Sequence, residues 1–240
     1  IIGMSDVDDK EDKEQSQNDT AVANGVLSNF TNAFEQLNAT AVKNEDSSLR
    51  DFEIDTLVHA MTALTAAYIV IGDFMSPLVD NDQKNIGLVN AAKDKYGRCS
   101  TIRPLLIRER DALTENGTKP YADGTLPQGS AALAMVWMVR SLSFWNGVLN
   151  ALLDDESVTL QAAVYASYEA HLSPFHGFMI KLAFKIGIRA VPTRDIFLSR
   201  LCDAQHRLPL LRRYRKTSGL VLEGLLSLLN ELDLRDTRVV

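Results

Sequence analysis

The sequence predicts an all-α protein of about eight helices, and three observations carry that class. Apolar residues recur at i, i+3, i+4 and i+7 along most of the chain, the period of a helix with a buried face. No stretch keeps up for long the period-two alternation of a half-buried strand. The 240 residues are 46% apolar, which suits the core of one large domain or two small ones.

Taken in order, residues 1–20 are charged, with Asp6, Asp8, Asp9, Glu11, Asp12, Glu14 and Asp19, and are expected to be a disordered acidic tail. Thr20–Leu37 carries Val22, Val26, Leu27, Phe30, Phe34 and Leu37 at helical spacing. A polar linker, Asn38–Ser48, follows, so residues 21–51 read as an N-terminal helix and linker ahead of a main domain at 52–240. Phe52–Asp73 is apolar nearly all round and is expected to be buried on more than one side. Ser76-Pro77 interrupts the pattern, and Leu78–Lys95 resumes it. Thr101–Leu113 is the next helix, with Arg103, Arg108 and Arg110 read as solvent-facing. Thr114–Ser130 holds Gly117, Pro120, Gly124, Pro127 and Gly129 and reads as a surface loop. Ala131–Leu153 is a strong helix closed by Asp154-Asp155-Glu156. Leu160–Leu172, residues 178–190 up to Pro192, Asp195–Cys202 and Leu220–Leu232 complete the set.

A formal charge of −6 argues against generic nucleic-acid binding. The charge is uneven, because Lys181, Lys185, Arg189, Arg194, Arg200 and the run Arg212 to Lys216 crowd the later part. Such an end attracts anionic membrane surface or phosphate, or is simply the solvated side of ordinary helices. Cys99 and Cys202 have no metal-ligand spacing and read as free thiols in a reducing compartment. No signal peptide is visible, and Ala60–Ile71 is too short to span a bilayer. A soluble, cytoplasmic monomer is expected. No Gly-rich phosphate loop or nucleophile elbow occurs, and His171 and His176 stand five apart, off any shared helix face. An enzyme, a metal site and a cofactor are therefore not expected.

Three stretches invite a binding role. Leu133, Trp137 and Arg140 share one helix face at i, i+4 and i+7. Asp80 and Lys84 stand one turn apart near a helix start, where such a pair is most often a weak surface ion pair. His176 sits between two aromatics in Phe175-His176-Gly177-Phe178, ahead of an apolar helix. A polar ring so close to a large apolar surface needs a partner or a purpose.

The last two helical stretches read Trp137-Met-Val-Arg140-Ser-Leu142-Ser-Phe144 and Tyr168-Glu169-Ala-His-Leu172-Ser-Pro-Phe175-His176-Gly177-Phe178. Ala190-Val191-Pro192 and Phe197-Leu198 follow. In this order they resemble the glycolipid transfer protein family, with its W-x-x-R-x-L-x-F and Y-E-x-x-L-x-x-(Y/F)-H-G-(W/F) segments, over about residues 52–235. The resemblance implies a two-layer α-helical sandwich that holds one sphingolipid, its headgroup at the surface and its ceramide chains between the layers. By this likeness Asp80 accepts from the ceramide amide N–H and a headgroup hydroxyl, and His176 donates to the amide carbonyl. Trp137 lies under the first sugar with Leu133 beside it, and Asn85 and Arg140 are further headgroup candidates. Phe144, Val148, Leu152, Phe184, Ile188 and Leu225 are candidate pocket walls. Phe178, Lys181 and Lys185 would meet the membrane.

The residue types suit these roles. A carboxylate only accepts hydrogen bonds, and a neutral histidine can donate. A tryptophan face matches the C–H face of a sugar. Each methylene exposed to water costs about 0.8 kcal/mol, so a carrier needs apolar walls.

The chain also departs from the family. Glycolipid-selective members follow the aspartate with an asparagine one turn on and a lysine three residues later. Counted from Asp80, this chain has Lys84 and Gly87, and lysine at the first place is the pattern of ceramide-1-phosphate carriers. Those carriers have arginines where this chain has Leu133 and Trp137. The register Asn81, Asn85 and Leu88 restores the asparagine but loses the carboxylate, and Asp80/Lys84 is preferred on that account. The expected function is a glycosphingolipid carrier that meets membranes transiently. A ceramide-1-phosphate carrier and a lipid-gated sensor or scaffold, with the acidic tail or the Thr114–Ser130 loop for a partner, are the alternatives.

Overall fold

The protein's structure is a computed structural model that describes residues 25–43, 50–115 and 125–240. The expected acidic tail and most of the expected glycine- and proline-rich loop lie outside the described residues. Among those described there are nine α-helices: α1 Val26–Ala39, α2 Ile54–Ile71, α3 Ser76–Lys95, α4 Ile102–Glu115, α5 Ala131–Asp154, α6 Leu160–His171, α7 Phe178–Gly187, α8 Arg194–Leu201 and α9 Ala204–Glu231. The only ladder among them is a two-residue antiparallel pair, β1 Val42–Lys43 with β2 Arg50–Asp51.

The helices stack in two layers. α1 packs on α2 and α9, α2 on α3, and α3 and α9 on α5, while α6 lies along α5. α1 is amphipathic, and Leu27, Phe30, Phe34 and Leu37 are fully buried. Phe30 and Phe34 meet the Tyr214 ring edge-on at 4.9 and 5.6 Å. α2 is buried on two sides, as its all-round apolar sequence requires. Its Tyr68 stacks at 5.2 Å on Trp145 of α5. By length and composition α2 and α5 could each cross a bilayer, but 56% and 78% of those segments are buried inside the protein, so both serve as core helices.

Several expectations change. Ser76-Pro77 does not interrupt a helix but begins one, since proline in the first turn has no intrahelical N–H to lose. Arg103 is not solvent-facing. It is buried and pairs with Glu231 of α9, and its backbone N–H reaches Asp51 Oδ1 at 3.0 Å. Glu109, also buried, accepts from the N–H groups of Ala131 and Ala132 at 2.9 Å each, while the Ser130 hydroxyl accepts from Leu133 N–H. The start of α5 is thus capped by a carboxylate from α4.

The helix expected from Leu220 begins at Ala204 and runs 28 residues through Pro209. Leu210, Leu211, Tyr214, Val221, Leu225 and Leu228 keep one face buried along it. Part of its basic run is spent within the fold, because Arg213 pairs with Glu35 and Arg215 with Asp154. Gly224 lets α9 approach closely, since a Cβ there would stand 2.7 Å from the Phe52 ring. Both cysteines are free and buried.

Candidate functional site

A cavity of about 420 Å³ opens between α3, α5, α6 and α7. On α5, Leu133, Trp137 and Ser141 line it, one per turn, so the tryptophan stands between a leucine and a serine on one stripe. On α3 the lining residues are Pro77, Leu78, Asn81, Lys84, Asn85 and Leu88, again a single helical stripe. Met75, Leu172, Ile180, Ala183 and Phe184 make most of the rest apolar.

His176 reaches the cavity from the turn between α6 and α7. It is buried, and its Nδ1 lies 3.0 Å from the Tyr168 hydroxyl. Tyr168 is fixed in turn by stacking on Phe184 at 3.5 Å. With Tyr168 donating to Nδ1, the ring proton sits on Nε2. Burial, aided by Lys181 and Arg140, pushes the imidazole below its ordinary value, so the ring is neutral at pH 7. It stacks on Trp137 at 5.8 Å, with 18° between the planes. The cavity can therefore present a flat aromatic face, a neutral N–H donor and, on successive turns of α3, two side-chain amides among apolar walls.

Arg140 leaves this cavity for a structural place. Its guanidinium lies 3.4 Å from the Phe175 ring centroid and 4.7 Å from that of Trp137, and it donates to the Asp236 carbonyl. Burial lowers it to about 10, against the pull of Asp236, so it remains charged. The segment 233–240 closes over this corner. Val240 N–H donates to Phe175 O at 2.9 Å, and Gly177 N–H to Val240 O at 2.6 Å. The Asp236 carboxylate accepts from Leu126 N–H, and Arg238 donates to Leu126 O.

Of the residues expected in the site, Leu133, Trp137, Lys84, Asn85 and His176 all line the cavity. Asp80 does not. It is exposed and off the cavity wall, because on α3 it stands about 100° round the helix from Asn81. The stripe of α3 on the cavity is instead Asn81, Asn85 and Leu88, across from Trp137 and His176 and with Lys84 between them. Of the six expected wall residues only Phe184 lines the cavity. Phe144, Val148 and Leu152, further along α5, and Ile188 and Leu225 are buried in the core off the cavity wall. Phe178 is 76% exposed at the start of α7, beside exposed Met179, and Lys181 and Lys185 follow on the same helix.

Tyr168, Ser141, Asp236 and Arg238 were not foreseen. For Tyr168 the signal was its place eight residues before His176. The tail residues carried none, since only the fold brings them to the cavity. No cluster with the makings of a metal site occurs among the described residues.

Glycolipid transfer protein 3 of Arabidopsis thaliana is 28% identical over 81 residues, 33% of this chain and 35% of that one. Glycolipid transfer protein A of Xenopus laevis is 29% identical over 163 residues, 65% of this chain and 74% of its own. A mutant of Arabidopsis accelerated-cell-death 11, solved with C12 ceramide-1-phosphate, shares the fold with a TM-score of 0.72 at 19% identity, covering 88% of this chain and 98% of that one. The family model described as glycolipid transfer protein matches residues 52–203, which hold α3, Trp137 and His176 together. That match spans more than half of the sequence, and the chain belongs to the glycolipid transfer protein family, whose members are lipid-transfer carriers rather than enzymes.

Proposed function

We propose that the protein binds one glycosphingolipid and carries it between membranes without chemistry. The observation that supports this most is the half-buried Trp137 beside neutral His176, with Asn81 also lining the same apolar-walled cavity. In this reading the first sugar lies on Trp137, His176 Nε2–H donates to the amide carbonyl, and Asn81 Oδ1 accepts from the amide N–H. The asparagine stands where the family's aspartate is expected. It keeps an acceptor but gives up the charge, and its Nδ2 adds a donor for a headgroup hydroxyl. The chains enter between α5, α6 and α7. Phe178 and Met179 dip into the bilayer interface while Lys181 and Lys185 meet lipid phosphates. The carrier works as a cytoplasmic monomer, transiently at membranes.

A second reading, ceramide-1-phosphate, draws on Lys84 and Arg238, both at the cavity. Position 81 supplies no carboxylate to pair with Lys84 on the cavity wall. Arg238, however, is already paired with Asp236, which leaves a single cation for phosphate.

The test is transfer of matched fluorescent galactosylceramide and ceramide-1-phosphate between neutral vesicles. Galactosylceramide is expected to move faster, and Trp137→Ala to slow it at least tenfold with the fold intact. Faster movement of ceramide-1-phosphate, abolished by Lys84→Ala, would favour the second reading. Saturable binding with no transfer would indicate a sensor.

A further inference from the structure

The polar pair Asp82–Ser141 has no part in the mechanism above. Asp82 is 1% exposed, and its Oδ1 accepts from the Ser141 hydroxyl at 2.7 Å, across the packing of α3 on α5. Its Oδ2 faces the nearby Tyr68 hydroxyl of α2, though the two do not close a well-formed hydrogen bond. Asn85, one turn along α3, also leaves its Nδ2 without a partner. Two helices packed by apolar residues would avoid the cost of burying such groups. Yet Ser141 and Asn85 both line the cavity.

The position is specific. Ser141 lies one turn of α5 beyond Trp137, about 6 Å further from the headgroup platform. Apolar residues, Leu88, Leu172 and Phe184 among them, line the same cavity. Because its proton is committed to Asp82, the Ser141 oxygen offers only lone pairs to the cavity. A methylene chain has nothing to give them. A hydroxyl does: it can donate to Ser141 and accept from the Asn85 amide.

We propose that Asp82, Ser141 and Asn85 form a hydroxyl-recognising subsite inside the lipid cavity, selecting ceramides with an extra hydroxyl on acyl carbon 2 or sphingoid carbon 4. This rests on the carrier reading. The amide and the headgroup belong to the mouth, where Trp137, Asn81 and His176 stand. The donor one turn deeper is therefore on the ceramide body itself. Asp82 acts through Ser141 by fixing the direction of its hydroxyl, as a positioning residue.

The experiment compares three galactosylceramides of equal chain length: one unhydroxylated, one 2-hydroxyacylated and one with a 4-hydroxylated base. Transfer from neutral vesicles is followed in competition. At least one hydroxylated lipid is expected to be preferred by about fivefold, the worth of one net hydrogen bond. The two hydroxylated arms separate acyl from sphingoid recognition. Ser141→Ala should bring the ratio close to one, and Asp82→Leu should do so independently, with the ratio rather than the rate as the readout. Equal transfer of all three by the wild-type protein overturns the subsite and leaves the carrier reading standing. A preference unchanged in Ser141→Ala also overturns it. Failure to move any of the three removes the carrier reading and the subsite together.

Discussion

His176 can serve as a donor toward the cavity because Tyr168 occupies its other nitrogen. Removing that hydroxyl frees the tautomer and leaves Nδ1 without its partner. Tyr168→Phe is therefore expected to reduce glycolipid transfer about fivefold to tenfold while shifting the unfolding midpoint little, which transfer kinetics and thermal melts together would check. The same ring sets a pH limit. Its value is pushed below 6.5 by burial, Lys181 and Arg140, so protonation of this ring cuts transfer only on the acid side of the ordinary imidazole range. Below that, protonation places a charge in the site, and both binding and the ring's contribution to stability fall as pH falls. A transfer rate that halves near pH 6.5 would contradict the lowered value. At this scale the sequence was readable where a motif is dense. Trp137 and His176 sit in segments with several matching neighbours. The choice between Asp80 and Asn81 was not readable, because both start an i, i+4 pair and only the packing decides which stripe faces the cavity. Asp82, Ile86 and Val89 are the residues buried against the other helices, and that rotates Asn81 and Asn85 onto the cavity.

Helices were legible in proportion to the regularity of their apolar stripes. α5 came through within a residue, while the first half of α9 was lost because Pro209 and a run of arginines hide its buried face. The ion pair of buried Arg103 with Glu231 was hidden for another reason, since its partners are 128 residues apart. The Glu109 cap is a similar long-range contact, and it can be tested. Glu109→Ala removes two charge-assisted bonds from the first turn of α5 and leaves those N–H groups buried, for an expected loss of about 2 kcal/mol in denaturant unfolding. α7 has the opposite character. Of its residues only Phe184 is buried, and Phe178 and Met179 stand in solvent. Phe178→Ala is expected to slow vesicle-to-vesicle transfer severalfold while leaving equilibrium binding of a short-chain soluble glycolipid unaltered. Equal loss in both assays would put Phe178 in the lipid site and not at the membrane.

At the scale of the whole molecule, the buried carboxyl of Asp82 has a cost that can be read from outside. Asp82 is pushed up to about 7, first by burial, while the Ser141 and Tyr68 hydroxyls pull it down less strongly. In the unfolded chain the same carboxyl titrates near 3.8. Between these two values the folded protein therefore binds more protons than the unfolded one, and stability falls as pH rises through this window and levels off above it. From pH 5 to pH 8 the loss through this one group is about 2–3 kcal/mol. Asp82→Asn keeps an acceptor for Ser141 and removes the ionisation. The variant should therefore gain on the wild-type protein as pH rises, by that amount between pH 5 and pH 8, in urea unfolding followed by circular dichroism. The comparison cancels the other titrating groups, which both proteins share. Parallel pH profiles would mean that Asp82 keeps an ordinary acidity in its place between α3 and α5. A gap that opens with pH would mean that the carrier holds a carboxyl near half-ionisation at neutral pH, one hydrogen bond from the wall of its lipid cavity.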